Sequence, residues 1–247
     1  HGRMAPSIGY FDLVHLDAKT GQADATFADD FDAVEVHNGL YMEDPARAEE
    51  AMFDLVGLAR RGKRPTATGN SDSHRLLYEE AGYPRTYVHA ARMPFEGRQE
   101  RLVAGLLSRN TTVSAGPFVE AWVVSRGGGA PMPVGSTVVP DEAGKVTLHV
   151  RVQAPGWVPV ERVSVWMDDT SSQTFDFPND GKDGVRFEAD VDLTIKRDAV
   201  LWAWTDARTP LPDVLPQKNA KPIAFTGLFY VDADRDGVVK VLPRGAR

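Results

Sequence analysis

A carboxylate and an imidazole stand two residues apart in the stretch GNSDSHRL, at Asp72 and His74. In an extended segment such residues point to the same side of the backbone, so the two side chains could bind one metal ion together. The imidazole supplies a directed lone pair, and the carboxylate offsets the charge of a divalent cation. A bound cation of this kind activates water for hydrolysis. The alternative is a polar turn, since Asn, Asp and Ser are common turn formers.

Two arginines and a histidine are further candidates for the same chemistry. Arg75 and Arg85 could hold an anionic small-molecule substrate, because guanidinium groups match phosphate geometry, or they could be ordinary surface charges. His37 has no second ligand at a metal-binding spacing, and lone histidines on strands are mostly structural or exposed. His37 stays a candidate site residue because it lies close in sequence to Glu35 and Asn38.

A late acidic stretch resembles part of a calcium loop. Asp232, Asp234 and Asp236, followed by Gly237, match the first half of such a loop. The twelfth position is Pro243, so the usual bidentate glutamate is missing. A β-turn is therefore the default interpretation and calcium binding the alternative.

The Asp72–His74 pair requires elements that place it at the end of a strand. The alternation of FDAVEVHN at 31–38 predicts a strand. Asp44 and Pro45 begin a predicted helix with an apolar stripe, which ends at Gly62. The Thr-rich segment that follows predicts a second strand, which ends at the pair, where α/β proteins usually build their sites. A further helix is predicted near 94–109, and TTVSAGPFVEAWVV is predicted to be one strand.

The sequence pattern changes after about residue 118. Segments such as KVTLHVRVQ, RVSVWMD and AVLWAWTDA alternate in hydrophobicity and are separated by turn clusters, which predicts a small antiparallel β-sandwich. We therefore expect two domains, residues 1–118 and 119–247.

Composition excludes several classes of function. The 247 residues carry a net charge of −7, which argues against a nucleic-acid partner bound by bulk electrostatics. The sequence contains no cysteine, so it has no disulfides, zinc fingers or thiol nucleophiles. The absence of cysteine does not determine the cellular compartment, and an extracytoplasmic location is compatible with it. No apolar run approaches the length of a membrane span. The start at His1 has no signal-peptide features, so we interpret the chain as a processed or truncated product.

Several phrases, in order along the chain, resemble the CehA/McbA-like branch of the PHP superfamily (polymerase and histidinol phosphatase). They are HGRMAPSIGYFDLVHLDAKTG, FDAVEVHNG, TGNSDSH, GYPRTYV and VSAGPF, and PIAFTGLFYVDADRDG resembles the end of the β-domain that often follows. The resemblance implies an α/β fold, the C-terminal half of a distorted (β/α)7 PHP barrel, followed by the β-sandwich. It also implies two or three divalent ions (Zn, Mn or Fe) and hydrolysis of phosphoesters or related bonds.

The resemblance also assigns metal ligands. Asp72 and His74 match the last metal-binding motif, and His1 matches the histidine of an Asn-His-Pro phrase, although Gly2 replaces the proline. A free amine at His1 could instead form a copper clamp, but that requires a second histidine in a β-sandwich, and the first segment is predicted to be α/β. The family's earlier ligand motifs are not in this sequence, so at most about half of the metal shell is expected.

Two functional hypotheses follow. The first is a fragment of a PHP-type metallohydrolase that attacks a phosphoester, amide or carbamate-type bond and is weak or inactive without its N-terminal half. The second is a non-catalytic binding or assembly module that acts through the β-sandwich or an exposed half-barrel surface. The expected partners are the missing half or a second copy of the chain.

Overall fold

The computed structural model describes residues 2–3, 9–75, 81–89, 97–124, 130–212 and 219–243. Within the first half of the chain, the elements are α1 (Tyr10–Leu13), β1 (Ala33–Asn38), a 3₁₀ helix (Gly39–Tyr41), α2 (Pro45–Arg60), β2 (Thr66–Asn70), β3 (Arg85–Val88), α3 (Arg98–Leu107) and β4 (Thr111–Ser114). The second half adds β5 (Phe118–Val123), β6 (Met132–Pro133), β7 (Thr137–Val138), β8 (Lys145–Ala154), β9 (Arg162–Met167), β10 (Thr170–Asp176), β11 (Gly184–Thr194), β12 (Ala199–Asp206), β13 (Ile223–Thr226) and β14 (Phe229–Val231).

The strand–helix–strand prediction is confirmed by β1, α2 and β2. The two strands are parallel, with Ala33 opposite Thr66 and Asn38 opposite Asn70. Pro45 lies in the first turn of α2. Backbone N–H groups there have no intrahelical acceptor, so the N–H that proline lacks costs the helix no hydrogen bond. The helix buries the predicted apolar stripe, which includes Ala48, Met52, Leu55, Leu58 and Ala59.

Two sheets form the larger part of the molecule. One has the strand order β10-β9-β12-β13-β4-β3, with β14 paired to β12 and β7. The other has the order β11-β8-β5-β6. Their buried residues belong to one hydrophobic core with those of α2, and the largest fully buried side chains include Trp202, Phe225, Phe229 and Leu148. Trp202 stacks on Trp166, which contacts Phe53 of α2, so this helix covers one face of the first sheet. The predicted antiparallel β-sandwich is therefore confirmed.

The predicted α/β fold, half of a distorted (β/α)7 barrel, is wrong. A barrel requires successive parallel strands joined by helices. In the described residues β3 and β4 are antiparallel, and β4 continues into the sandwich sheet through β13. Four-residue strands such as these are too short for hydrophobic pattern to specify the direction of their partner. The proposed domain boundary between residues 118 and 119 stays a prediction.

Candidate functional site

Polar residues lie along β1 and at the carboxyl end of β2. We call Glu35, Asn38 and Asn70, together with Asp72 and His74 directly after β2, the strand-end cluster. Asn70 donates from Nδ2 to Glu35 Oε1 over 3.0 Å, and Asn38 donates to the same oxygen over 3.3 Å. Two amides on neighbouring strands thus fix the position of one carboxylate.

The structure brings Asp72 and His74 together in a segment without regular secondary structure, directly after β2. Asp72 lies in the left-handed region with φ +52°, a conformation that Asp adopts more readily than most residues. Its Oδ1 atom is 3.7 Å from Nε2 of His74. The Asp72 side chain is 25% exposed and the imidazole 72%. The pair is therefore accessible from solvent, and the left-handed backbone at Asp72 interrupts the extended segment that the spacing suggested.

Close backbone packing holds the start of this segment against the 3₁₀ helix and the residues before β3. A Cβ atom at Gly39 would lie 2.2 Å from the carbonyl oxygen of Ser71 and 2.9 Å from that of Tyr83. Thr86 Oγ1 bonds both the N–H and the carbonyl of Gly69, each over 2.9 Å. The ends of β1 and β2 and the start of β3 consequently converge at the strand-end cluster.

The other predicted site residues have different positions. Arg85 begins β3, and its guanidinium carbon lies 4.1 Å from the ring centroid of Tyr83. Its Nε atom is buried without a hydrogen-bond partner among the described residues. Arg75 is exposed at the end of the described stretch 9–75. His1 lies outside the described residues.

His37 is the site residue that the sequence pattern did not identify as buried. The pairing of β1 with β2 shifts register between Glu35 and His37, and His37 is only 3% exposed. Neither ring nitrogen has a hydrogen-bond partner within the described residues. Burial lowers the pKa of His37 from 6.5 to about 3, so the imidazole is neutral at pH 7. It lines a cavity of about 30 Å³ together with Glu35 and Arg3.

An ion pair anchors the segment that precedes α1. Arg3 donates to Asp54 of α2 from Nη2 over 2.7 Å and from Nε over 2.8 Å. It also donates from Nη1 to Asp12 over 3.0 Å. Desolvation raises the pKa of Asp54 to about 6, although Arg3 favours its charged form. Since both Arg3 and α2 border the His37 cavity, this pair positions one wall of the site.

A second group of carboxylates lies in the sandwich. Asp198, Asp232 and Asp234 each offer one carboxylate oxygen, and these oxygens lie within 4.8 Å of one another. The described residues therefore contain an acidic group of a size that could hold a metal ion. Asp198 lies outside the acidic motif at 232–237, so the sequence pattern did not identify it as part of this group.

No family model matches this chain, and no curated protein matches it. Solved structures that match include the CARDB domain of a Pyrococcus furiosus protein in complex with di-metal ions, at 14% identity over 47% of this chain and 94% of that chain, with a TM-score of 0.28. Another is a lytic polysaccharide monooxygenase from Jonesia denitrificans, at 14% identity over 71% of this chain and 91% of that chain, with a TM-score of 0.26. Likenesses this weak carry no argument about the present site.

The predicted PHP-domain phosphoesterase is wrong, and only its β-sandwich stands. That prediction needs a ring of parallel strand ends to assemble a metal centre. In the part of the chain that the structure describes, β1 and β2 are the only strands joined in this way by a helix. Among the same residues, no helix has both the length and the hydropathy needed to cross a membrane.

Proposed function

We propose that this protein is a metal-dependent hydrolase whose divalent ion is bound at the strand-end cluster by Asp72 and His74. The observation that carries the proposal is the 3.7 Å approach of Asp72 Oδ1 to His74 Nε2. Zinc–nitrogen and zinc–oxygen bonds are each about 2 Å, so one ion fits between these atoms with a wide ligand–metal–ligand angle. Zn, Mn and Fe all accept this mixed nitrogen and oxygen donor set.

The remaining residues of the site support hydrolysis. A divalent ion bound there would supply a water of lowered pKa as the nucleophile. Glu35 is held by the amides of Asn38 and Asn70, and a carboxylate fixed in this way can accept a proton from water. Arg85 begins β3 beside this end of the sheet, and its guanidinium is suited to holding an anionic group of the substrate.

Metal binding and catalysis test the proposal together. Calorimetry with Zn²⁺ and Mn²⁺ should show a site that the double variant Asp72→Ala/His74→Ala lacks. The same variant should lose turnover of p-nitrophenyl acetate and of a p-nitrophenyl carbamate. The matched control is Asp24→Ala/His15→Ala, because that exposed Asp–His pair, 2.8 Å apart, lies far along the chain from the cluster. Equal metal affinity in both double variants would refute the proposal.

A second candidate function is association through α3. Leu102, Val103 and Leu107 of this helix are each about half exposed, and Gly105 is the one buried residue along it. An amphipathic helix normally buries its apolar side, so a face of this kind is typical of a surface covered by another polypeptide. Native mass spectrometry should then detect an assembly that Leu102→Glu/Val103→Glu reduces to a monomer. Val139→Glu, at another half-exposed valine, is the control. A monomeric wild type at all concentrations would exclude self-association.

A further inference from the structure

Three carboxylates converge where β12 begins and β14 ends. The antiparallel pairing of these strands places Ala199 opposite Val231. Asp198 and Asp232 are the next residues outward on the two strands, so the same register brings them side by side. Asp234 follows two residues later, and one oxygen from each of the three lies within 4.8 Å of the other two.

Asp232 supplies an independent sign of a ligand. It is only 3% exposed, and its Oδ2 accepts a hydrogen bond from the N–H of Gly237 over 3.0 Å. Its Oδ1 atom is buried and has no hydrogen-bond partner among the described residues. A buried carboxylate oxygen without a partner is strongly unfavourable, and a cation would remove that penalty.

Backbone donors hold the other two carboxylates in place. Asp198 accepts from the N–H of Ala233 over 2.8 Å and from that of Lys240 over 2.7 Å, and Asp234 accepts from the N–H of Asp236 over 3.1 Å. The ammonium of Lys240 pairs with Asp236 at 2.5 Å and interacts only through its longer-range field with Asp198 and Asp234. No Lys or Arg in the described part of the chain forms an ion pair with the three carboxylates, so most of their negative charge is left for a bound cation.

We propose that Asp198, Asp232 and Asp234 form a calcium site. All three donors are oxygens, which Ca²⁺ prefers and which suit Zn²⁺ poorly without nitrogen or sulfur ligands. The three carboxylate oxygens lie within 4.8 Å of one another, and calcium–oxygen bonds of about 2.3–2.6 Å can span such a group. Mg²⁺ demands near-ideal octahedral geometry and seldom uses a site built from protein ligands alone, so Ca²⁺ is the preferred ion.

The loop after Asp232 has the geometry of a cation-binding turn. Gly237 occupies the sixth position counted from Asp232, at φ +85°, as the glycine of a calcium loop does. Ca²⁺ takes six to eight oxygen ligands, so carbonyl oxygens of the loop and water would have to supply those that the three carboxylates do not. Because Asp198 lies on β12, the ion would fasten the loop at 232–240 to the sandwich sheet.

The test uses the full chain after treatment with EDTA. We expect calorimetric binding of Ca²⁺ in a one-to-one ratio, a melting temperature raised by Ca²⁺, and binding of Mg²⁺ at least roughly tenfold weaker. Asp234→Ala should weaken Ca²⁺ binding at least about tenfold, and this exposed side chain can be removed without opening the core. Asp180→Ala, in another acidic turn, is the control.

Three results would overturn the assignment of a calcium site. They are absence of Ca²⁺ binding, wild-type Ca²⁺ affinity in Asp234→Ala, and equal affinity for Mg²⁺ and Ca²⁺. Asp232→Asn is a second test variant. It keeps the size of the buried side chain, so it creates no cavity that could unfold the protein. The variant Asp72→Ala/His74→Ala should bind Ca²⁺ normally, which separates this site from the proposed hydrolytic one.

Discussion

The amide of Asn70 on β2 donates to the carboxylate of Glu35 on β1 over 3.0 Å, across the parallel pair. Asn38 reaches the same oxygen from the strand that carries Glu35 itself. The parallel register, with Asn38 opposite Asn70, is what allows both amides to meet one acceptor. The carboxylate is therefore oriented by the sheet before any metal or substrate arrives.

Asn70→Ala should impair the strand-end cluster without unfolding the protein. Asn70 is exposed, so its loss should change the free energy of unfolding by less than about 1 kcal/mol. Loss of the hydrogen bond that orients Glu35, the proposed proton acceptor, should lower turnover of p-nitrophenyl acetate by about 10-fold, while Zn²⁺ affinity stays near that of the wild type. Kinetic assays, calorimetry and urea unfolding of the same sample measure these effects. Gln173→Ala, which removes another amide donor, should leave turnover unchanged.

Gly39→Ala should damage the cluster by a steric clash. The added methyl group would meet the Ser71 carbonyl at 2.2 Å, and a backbone oxygen cannot rotate away. We expect a loss of about 1–3 kcal/mol in stability together with weakened metal binding. Gly62→Ala is the control, because its Cβ would meet no atom within 4 Å. It should lose stability through its left-handed backbone but bind metal as the wild type does. Unimpaired metal binding in Gly39→Ala would contradict the role assigned to this contact.

Arg3→Met should leave the buried carboxylate of Asp54 without its main partner. The Asp54 side chain is 1% exposed, so its charge cannot be hydrated when the guanidinium is absent. We expect a loss of about 2–4 kcal/mol in the free energy of unfolding at pH 7.5, measured with urea. The double variant Arg3→Met/Asp54→Leu should recover most of it, because the unpaired charge is gone. A double variant no more stable than Arg3→Met would show that the charge is not the cause.

His37 should make the protein less stable in acid. Its pKa is about 3 in the folded state and 6.5 for an unperturbed imidazole, so between these values the unfolded chain binds more protons. Stability is therefore fully present above about pH 6.5 and falls as the pH decreases toward 3. The loss should approach about 1.4 kcal/mol per pH unit relative to His37→Gln, which does not titrate.

Urea unfolding of both proteins at pH 6.5, 5.5 and 4.5 measures that difference. Asp54 acts in the opposite sense, because its folded pKa of about 6 lies above the ordinary value of 3.8. Asp54 is common to both proteins, so its contribution cancels in the comparison. Parallel stability profiles would show that His37 does not remain neutral in the folded protein.

Local sequence patterns determined where several elements lie. The alternation at 31–38 gave β1, and the apolar stripe beginning after Pro45 gave α2, because side-chain period is a property of a single segment. The alternating segments after residue 118 likewise gave the sandwich strands. The stretch TTVSAGPFVEAWVV was predicted as one strand, but it forms β4 and β5 in two different sheets, with Gly116 at φ +140° between them.

Tertiary structure decided how those elements combine, and with it the candidate sites. The sequence contains Asp232 and Asp234 as a motif, yet Asp198 joins them only through the register of β12 against β14. The burial of His37 likewise depends on a register shift between β1 and β2. Strand partners and registers are chosen by contacts between segments far apart in the chain, so no local pattern encodes them. For the same reason, the sequence predicted a strand end at Asp72 and His74, but only the fold could reveal that β3 and β4 belong to a sandwich rather than to a barrel.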